Sequence, residues 1–307
     1  MKNQPRKRQS LAALAVTALL ALPLTACGDD ATADAESATC PDGRIRFGIE
    51  PYEDPVKLTP AYEAVAAALS EKLDCPVEVT VVEDYSAEVL AIQNGQLEIA
   101  QYGPLGFVFA SDVAGAEPLA SFGTADGELS SYTAGIWVPK DSDIEAVGDL
   151  TGRSLALGGI GSTSGDALPR EALKQAGIAE SDLKMEYAGG HPEALLALTN
   201  GKVDAAQINS QTLATAEAEG TFDAAAHRQI WTSDPIPNDP ITVRSDLSQE
   251  FKDAVLEALT MLPLETVGEV GAFLDVTPPG PMVPVTKETY APLFQLAEDL
   301  GLTEDDV

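Results

Sequence analysis

Hydrophobic positions along this chain alternate between two periods. Short apolar runs that end in glycine or a turn signal are each followed by a longer stretch with apolar residues three and four apart. Residues 45–49 form the first run, and residues 62–73 the first amphipathic stretch, with Val65, Leu69 and Leu73 on one face. The pattern repeats as strand 77–82 and helix 86–94, stopped by Gly95, then strand 99–102 ending at Gly103-Pro104, and helix 105–110. An apolar strand-like segment covers 132–139. A second series then opens at 141–150 and continues as strand 154–157, helix 168–176, strand 184–187, helix 192–200 and strand 205–208. A strand near 229–233 ends it. Ile236-Pro237-Asn238-Asp239-Pro240 is too proline-rich for either regular element, and residues 248–262 and 286–300 predict two closing helices. Such alternation predicts an α/β fold of parallel strands with crossover helices. The roughly 268 residues from Cys40 onward exceed one small core and suit two lobes. A chain that crosses near 130–138 and returns near 233–240 makes two connections, which predicts a hinge with a ligand cleft. Lobe 1 is expected from 40–133 plus 236–307, and lobe 2 from 134–235.

The N-terminus follows a different pattern. Lys2, Arg6, Lys7 and Arg8 precede an apolar core at 11–22 that is too short for a comfortable membrane span, so residues 1–26 are expected to be an export signal. Leu24-Thr25-Ala26-Cys27 resembles the bacterial lipobox, which implies lipidation of Cys27, the alternative being an ordinary signal peptide with a chance cysteine. The acidic stretch 27–39 lacks apolar periodicity and is expected to be a flexible tether to a membrane anchor. With Cys27 assigned to lipid, Cys40 and Cys75 remain as an even pair in an exported protein. Each precedes a predicted strand, and neighbouring parallel strands start close together, so a Cys40–Cys75 disulfide is expected; two buried free thiols are the alternative. Three cysteines and two histidines argue against a zinc site, and no metal or other cofactor is expected.

Charge narrows the partners. Against 18 Lys and Arg stand 49 Asp and Glu, a formal net charge of −31, which falls to −35 once the four basic residues of the signal are removed. That field opposes nucleic acid. It also opposes any anionic ligand, which would have to rely on local donors, since outer charges are screened beyond about 8–10 Å. Gly161-Ser162-Thr163-Ser164-Gly165 offers such donors. It joins the strand at 154–157 to the helix at 168–176, where the first helical amides lack partners and carry partial positive charge. Three hydroxyls at a helix start suit a small tetrahedral oxyanion, although Ser162 or Ser164 could equally serve as a helix cap.

An ordered set of motifs gives these features a frame. It runs Gly48-Ile49-Glu50-Pro51, Leu58-Thr59-Pro60, Asp84-Tyr85, Tyr102-Gly103-Pro104, the 161–165 run, Gly189-Gly190-His191, Asn200-Gly201-Lys202-Val203-Asp204-Ala205 and the 236–240 segment. Together they resemble the periplasmic phosphonate-binding proteins of ABC importers, the PhnD-like family, over residues 44–251. The resemblance implies a type II periplasmic-binding-protein fold, each lobe a mostly parallel sheet flanked by helices, closing on a phosphonate, phosphite or phosphate-like anion. It places Ser162, Thr163 and Ser164 on the oxygens of the anion and His191 on one more, where a cationic imidazole would suit a dianion better than a neutral one. Tyr85 and Tyr102 would close the cleft from lobe 1, and Asp239 would face the substituent of the ligand. Where aminoalkylphosphonate-binding members can carry a glutamate for the ligand's amino group, this chain has Gln211, which implies a smaller uncharged substituent.

The resulting expectation is a monomeric, lipid-anchored, extracytoplasmic solute-binding protein that delivers a small oxyanion to permease subunits. A sensory or scavenging lipoprotein would use the same capture. A phosphoesterase with Ser162 or Ser164 as nucleophile and His191 as base is the enzymatic alternative; it lacks a G-x-S-x-G elbow and a metal cluster.

Overall fold

The computed structural model describes residues 38–303 and residue 306. The expected signal, the lipidation site Cys27 and nearly all of the tether lie outside the described residues. The first half of lobe 1 is built from β1 (Ile45–Ile49), α1 (Pro55–Leu73), β2 (Val77–Val81), α2 (Tyr85–Gln93), β3 (Ile99–Gln101), α3 (Pro104–Ala114) and β4 (Glu117–Thr124). After β5 (Ser131–Tyr132) the chain enters lobe 2 with β6 (Gly135–Pro139), β7 (Ser154–Leu157), α4 (Leu168–Gln175), β8 (Lys184–Tyr187), α5 (His191–Thr199), β9 (Ala205–Gln207), α6 (Ser210–Ala218) and β10 (His227–Thr232). It returns through β11 (Ile236–Pro237) to β12 (Ile241–Val243), α7 (Gln249–Thr260), α8 (Leu264–Gly271), β13 (Pro279–Pro284) and α9 (Ala291–Leu300).

Two sheets result, ordered β13-β4-β12-β3-β1-β2 and β10-β6-β9-β7-β8. The parallel core expected from the βα alternation is present in each, since β1 pairs in parallel with β2 and β3, and β7 with β8 and β9. Beyond it the sheets are mixed rather than mostly parallel. β6 and β12, which each follow a lobe crossing, run antiparallel to their neighbours, as do β13 and β10. The crossing strands enter each sheet from the hinge, opposite in direction to strands reached through a crossover helix. At the hinge itself, Ile236 and Pro237 do form a strand, pairing with Tyr132 and Ser131 in a two-stranded ribbon.

Side-chain burial explains both the elements that periodicity found and those it missed. On β1, Ile45, Phe47 and Ile49 face one core with Leu58, Tyr62, Val65 and Leu69 of α1 and with α7. Helix α1 starts about two turns earlier than its apolar stripe suggests, because Asp54 caps it by accepting the Val56 N–H and Pro55 occupies the first position. The other face of the sheet packs on α2, α3 and α9, and lobe 2 likewise carries a core on each face. β4 escaped detection because Pro118 interrupts its alternation; the proline sits at the irregular register with β12, where a lost ladder bond is tolerated. β13, with prolines at 279, 281 and 284, lies on the sheet edge for the same reason. Helix α6 buries alanine, threonine and glutamine rather than large apolar groups, and so shows no stripe. Residues 141–150, expected to open the second series, supply only a single turn of 3₁₀ helix at Val147–Leu150.

Cys40 and Cys75 are bonded, with their Cα atoms 5.3 Å apart. They tie the entry of β1 to the entry of β2, its parallel neighbour. The bond closes a 35-residue interval, for which chain-entropy arguments give about 3–4 kcal/mol. Replacing both cysteines by serine is expected to lower the urea midpoint by a comparable free energy, and adding reductant should lower the wild-type curve to meet the variant's.

Candidate functional site

Five helix starts border one small cavity between the two sheets. Tyr85 opens α2, Gly103 precedes α3, Ser162 caps the π-helical turn Thr163–Ala167 that leads into α4, His191 opens α5, and Asn209 caps α6. Each start brings amides with no intrahelical partner and the positive end of a helix dipole. The lining residues include no Lys or Arg. The arrangement favours negative charge through dipoles alone.

The 161–165 run is held tightly. Gly161 has φ +84°, a conformation that favours glycine, and its N–H donates to Asp166 Oδ2 at 3.0 Å. Tyr187 donates to the other Asp166 oxygen at 2.8 Å. A Cβ on Gly165 would lie 2.9 Å from His191 Cε1, so glycine lets the imidazole rest on the turn. Ser162 Oγ accepts the Gly165 N–H at 3.1 Å and lies 3.1 Å from His191 Nε2. Capping and cavity lining are therefore one geometry. Thr163 Oγ1 accepts the Leu105 N–H of α3 at 2.9 Å, a bond that spans the lobes, and Asn209 Nδ2 donates to Ser164 Oγ at 3.0 Å. Tyr132 stands beside Thr163 and Ser164, and Tyr85 beside Ser162.

His191 is neutral here, contrary to the preference for a cationic imidazole. Burial pushes it down to about 4, despite its bond to Gln207. Nδ1 lies 3.1 Å from Gln207 Oε1, an acceptor, so Nδ1 carries the proton and Nε2 accepts from Ser162.

Across the cavity stand carboxyls. Gln101 Nε2 donates to Asp239 Oδ2 at 2.6 Å, and the same Gln101 accepts from Tyr62, which contacts Tyr52 at 3.0 Å between hydroxyls. This relay fixes the Asp239 orientation, and burial pushes its carboxyl up to about 7. Glu50, at the end of β1, accepts the Gly103 N–H at 2.6 Å.

The sequence model of the family described as ABC transporter, phosphonate, periplasmic substrate-binding protein matches residues 47–290. The chain belongs to this family. The phosphonates-binding periplasmic protein of Escherichia coli K12 is 30% identical over 218 residues, 69% of this chain and 64% of that relative, so the match spans just under two thirds of the relative's length. The phosphate-import protein PhnD of Mycolicibacterium smegmatis is 26% identical over 249 residues, 77% of each chain. Among solved structures, a binding protein component of an ABC phosphonate transporter from Pseudomonas aeruginosa superposes with a TM-score of 0.73 at 24% identity, covering 82% of this chain and 84% of that one. PhnD1 from Prochlorococcus marinus, in complex with methylphosphonate, gives 0.74 at 16% identity, covering 86% and 99%. The shared architecture is the type II periplasmic-binding-protein fold.

Of the family-derived positions, Tyr85, Ser162, Thr163, Ser164, His191, Gln211 and Asp239 border the one cavity. Tyr102 does not. Its ring is fully buried in the lobe 1 core, and its hydroxyl donates to the Glu88 carbonyl at 3.1 Å. Successive residues leaving β3 point to opposite faces, so with Gln101 turned toward Asp239, Tyr102 turns away. Gln211 reaches the cavity while donating to Asn238 Oδ1 at 3.1 Å, so it also bridges lobe 2 to the returning strand. Glu50, Tyr52, Tyr132 and Asn209 also border the cavity and were missed. The position of Glu50 at the carboxyl end of a parallel strand was the available signal. Asn209 was hidden by the undetected α6.

A carboxyl that keeps its proton in the folded state stabilises fully below about 3.8 and loses that contribution as pH climbs to about 7. Depression of His191 acts oppositely, its contribution being full above 6.5 and lost as pH falls toward 4. Asp239→Asn should therefore reduce the stability lost between pH 4 and 7, by up to about 4 kcal/mol in urea titrations. Equal slopes in variant and wild type would show that Asp239 ionises freely.

Proposed function

We propose that this protein is the lipid-anchored receptor of an ABC importer, capturing a small phosphorus oxyanion between its lobes on the outer side of the cell membrane. The supporting observation is a buried cluster of hydroxyls and helix starts without a cationic side chain among the lining residues, built by a chain of the phosphonate-binding family. Residues 1–26 act as the export signal, lipid on Cys27 supplies the anchor, and residues 27–39 give the body reach. The body works as a monomer, without metal or cofactor, and the closed form docks on permease subunits.

Capture proceeds by rotation of 134–235 against 40–133 and 236–307 about the β5–β11 ribbon. Thr163 and Ser164 turn their hydroxyls from Tyr132, and Ser162 turns its hydroxyl from His191, to the oxygens of the ligand. Neutral His191, fixed by Gln207 and accepting from Ser162 at Nε2, positions Ser162 for the ligand. Contacts made only on closure hold the lobes together: Leu105 N–H to Thr163, Gln211 to Asn238, and Lys57 to Glu219 at 2.7 Å. Asp239 meets the remaining substituent, where a P–OH can donate to it. Gln211 cannot supply the charge-assisted bond an ammonium requires. Phosphate, phosphite and methylphosphonate fit this description better than aminoalkylphosphonates. The Mycolicibacterium relative is named for phosphate import, and the Prochlorococcus structure holds methylphosphonate.

The Ser162–His191–Gln207 chain also has the outline of an activated nucleophile. A base held near 4 is a weak one, and Ser162 is committed to capping, so we read the chain as binding machinery and the protein as non-enzymatic.

A thermal-shift panel of phosphate, phosphite, methylphosphonate, 2-aminoethylphosphonate and sulfate is expected to raise the melting temperature for at least one of the first three, with a smaller effect of 2-aminoethylphosphonate. Joint replacement of Ser162, Thr163 and Ser164 by alanine should weaken that ligand by at least about a hundredfold in calorimetry, with an unchanged circular dichroism spectrum. Unaltered affinity would defeat the assignment. Incubation with a phosphate ester should yield no product beyond one equivalent; steady accumulation would favour the enzyme.

A further inference from the structure

Behind the cavity, one face of β1 carries an unusual series. Arg46, Gly48 and Glu50 alternate along it. Arg46 is committed at its own end, where Nε donates to Glu98 Oε2 at 2.9 Å. Over Gly48 lies Glu88 of α2, whose Oε1 would be 2.7 Å from a Cβ at that position. Glu50 is accommodated in the same way: a Cβ on Gly103 would lie 2.9 Å from its Oε2, and one on Gly106 would collide with its Oε1. Three glycines thus clear space for two carboxyl groups, both fully shielded from solvent.

Neither group is compensated. Both Glu88 oxygens and Glu50 Oε1 have no hydrogen-bond partner, and the single donor to the pair is the Gly103 N–H at Glu50 Oε2. The titratable groups around them give no relief. From the linker between β11 and β12 comes Asp239; from α2, Tyr85; after β3, Tyr102; from α1 and the segment before it, Tyr62 and Tyr52; from β5, Tyr132; and from α5, neutral His191. Two bare carboxylates in a dry chamber are far costlier than a protonated pair. Burial, followed by the Glu50–Glu88 repulsion, holds Glu50 well above the ordinary carboxyl range; burial and Asp239 do the same for Glu88. Glu50 borders the cavity and Glu88 lies behind it, so an anion in the cavity adds a negative charge to a chamber that already has too many.

We propose that Glu50 and Glu88 form a carboxyl pair that takes up a proton as the lobes close on an oxyanion, making capture proton-linked. The proton comes from solvent onto a carboxylate oxygen and returns to solvent when the ligand leaves. This rests on the reading of the cavity as an oxyanion site. Affinity must then fall as pH rises through the titration of the pair, because closing on the anion becomes closing on an anion beside bare carboxylates.

Calorimetry with inorganic phosphate and with methylphosphonate, at pH 6.0 and pH 9.0, compares wild type with Glu88→Gln. The amide keeps the shape, offers a donor toward Glu50 and has no proton to lose. Ionisation of the ligand itself is common to both proteins and cancels. The wild-type affinity is expected to drop at least about tenfold more than the variant's over this range, a factor worth about 1.4 kcal/mol. At pH 7.5, in buffers of different ionisation heat, wild type should take up more protons per ligand than the variant. Superimposable pH profiles and equal proton counts would overturn the proposal. Should Glu88→Gln fail to fold by circular dichroism, Glu88→Met removes the same proton and gives the same comparison. Absence of binding by wild type to either anion at pH 6.0 would instead count against the oxyanion site itself.

Discussion

A dipole acts over a short distance, and that limit organises this molecule. A lysine can attract an anion from a Debye length away, whereas a helix start or a hydroxyl acts only in contact. Five helix starts must therefore converge within a few ångströms, and water must be kept out so that their partial charges are not diluted. Two sheets with their helices starting at the same side provide that convergence. Closing one against the other supplies the dryness. Neither lobe could do so alone, since Tyr85, Glu50 and Asp239 come from one and the hydroxyl run, His191 and Asn209 from the other.

The same limit accounts for the acidity around the site. A strongly negative body repels any anion at long range, so the selectivity of an oxyanion site here would rest on what happens after contact. There, carboxyls are an asset where they are protonated or face a protonated ligand group, because they discriminate by the placement of hydrogen. The relay from Tyr52 through Tyr62 and Gln101 to Asp239 holds one such group at a fixed angle. Surface ion pairs such as Lys57–Glu219 contribute little individually, on the order of 1 kcal/mol or less.

Much of the architecture was legible in the sequence because it depends on large apolar groups at regular spacing. β7, β8 and α5 lie where their patterns placed them. What escaped were elements stabilised by other means: β4 and β13, broken by proline, and α6, which packs through alanine and threonine. In the site, residues carried by ordered motifs came together, because a glycine-flanked loop after a strand has few geometries open to it. Tyr102 failed because a motif gives position along the chain and not the side of the strand to which a side chain turns. Glu50 and Glu88 could not have been anticipated as neighbours, since their proximity depends on three glycines on two elements leaving the same space empty.

The cystine between Cys40 and Cys75 has a mechanical consequence. It joins the first described segment to the entries of two adjacent strands of lobe 1, while lobe 2 is attached through the short ribbon and its flanking chain. Tension in the chain ahead of Cys40 is thus shared by β1 and β2 and dissipated within one lobe. The other lobe bears none of that load. In the proposed anchored arrangement, a pull on the chain ahead of Cys40 leaves the angle between the lobes to be set by the ligand rather than by the load.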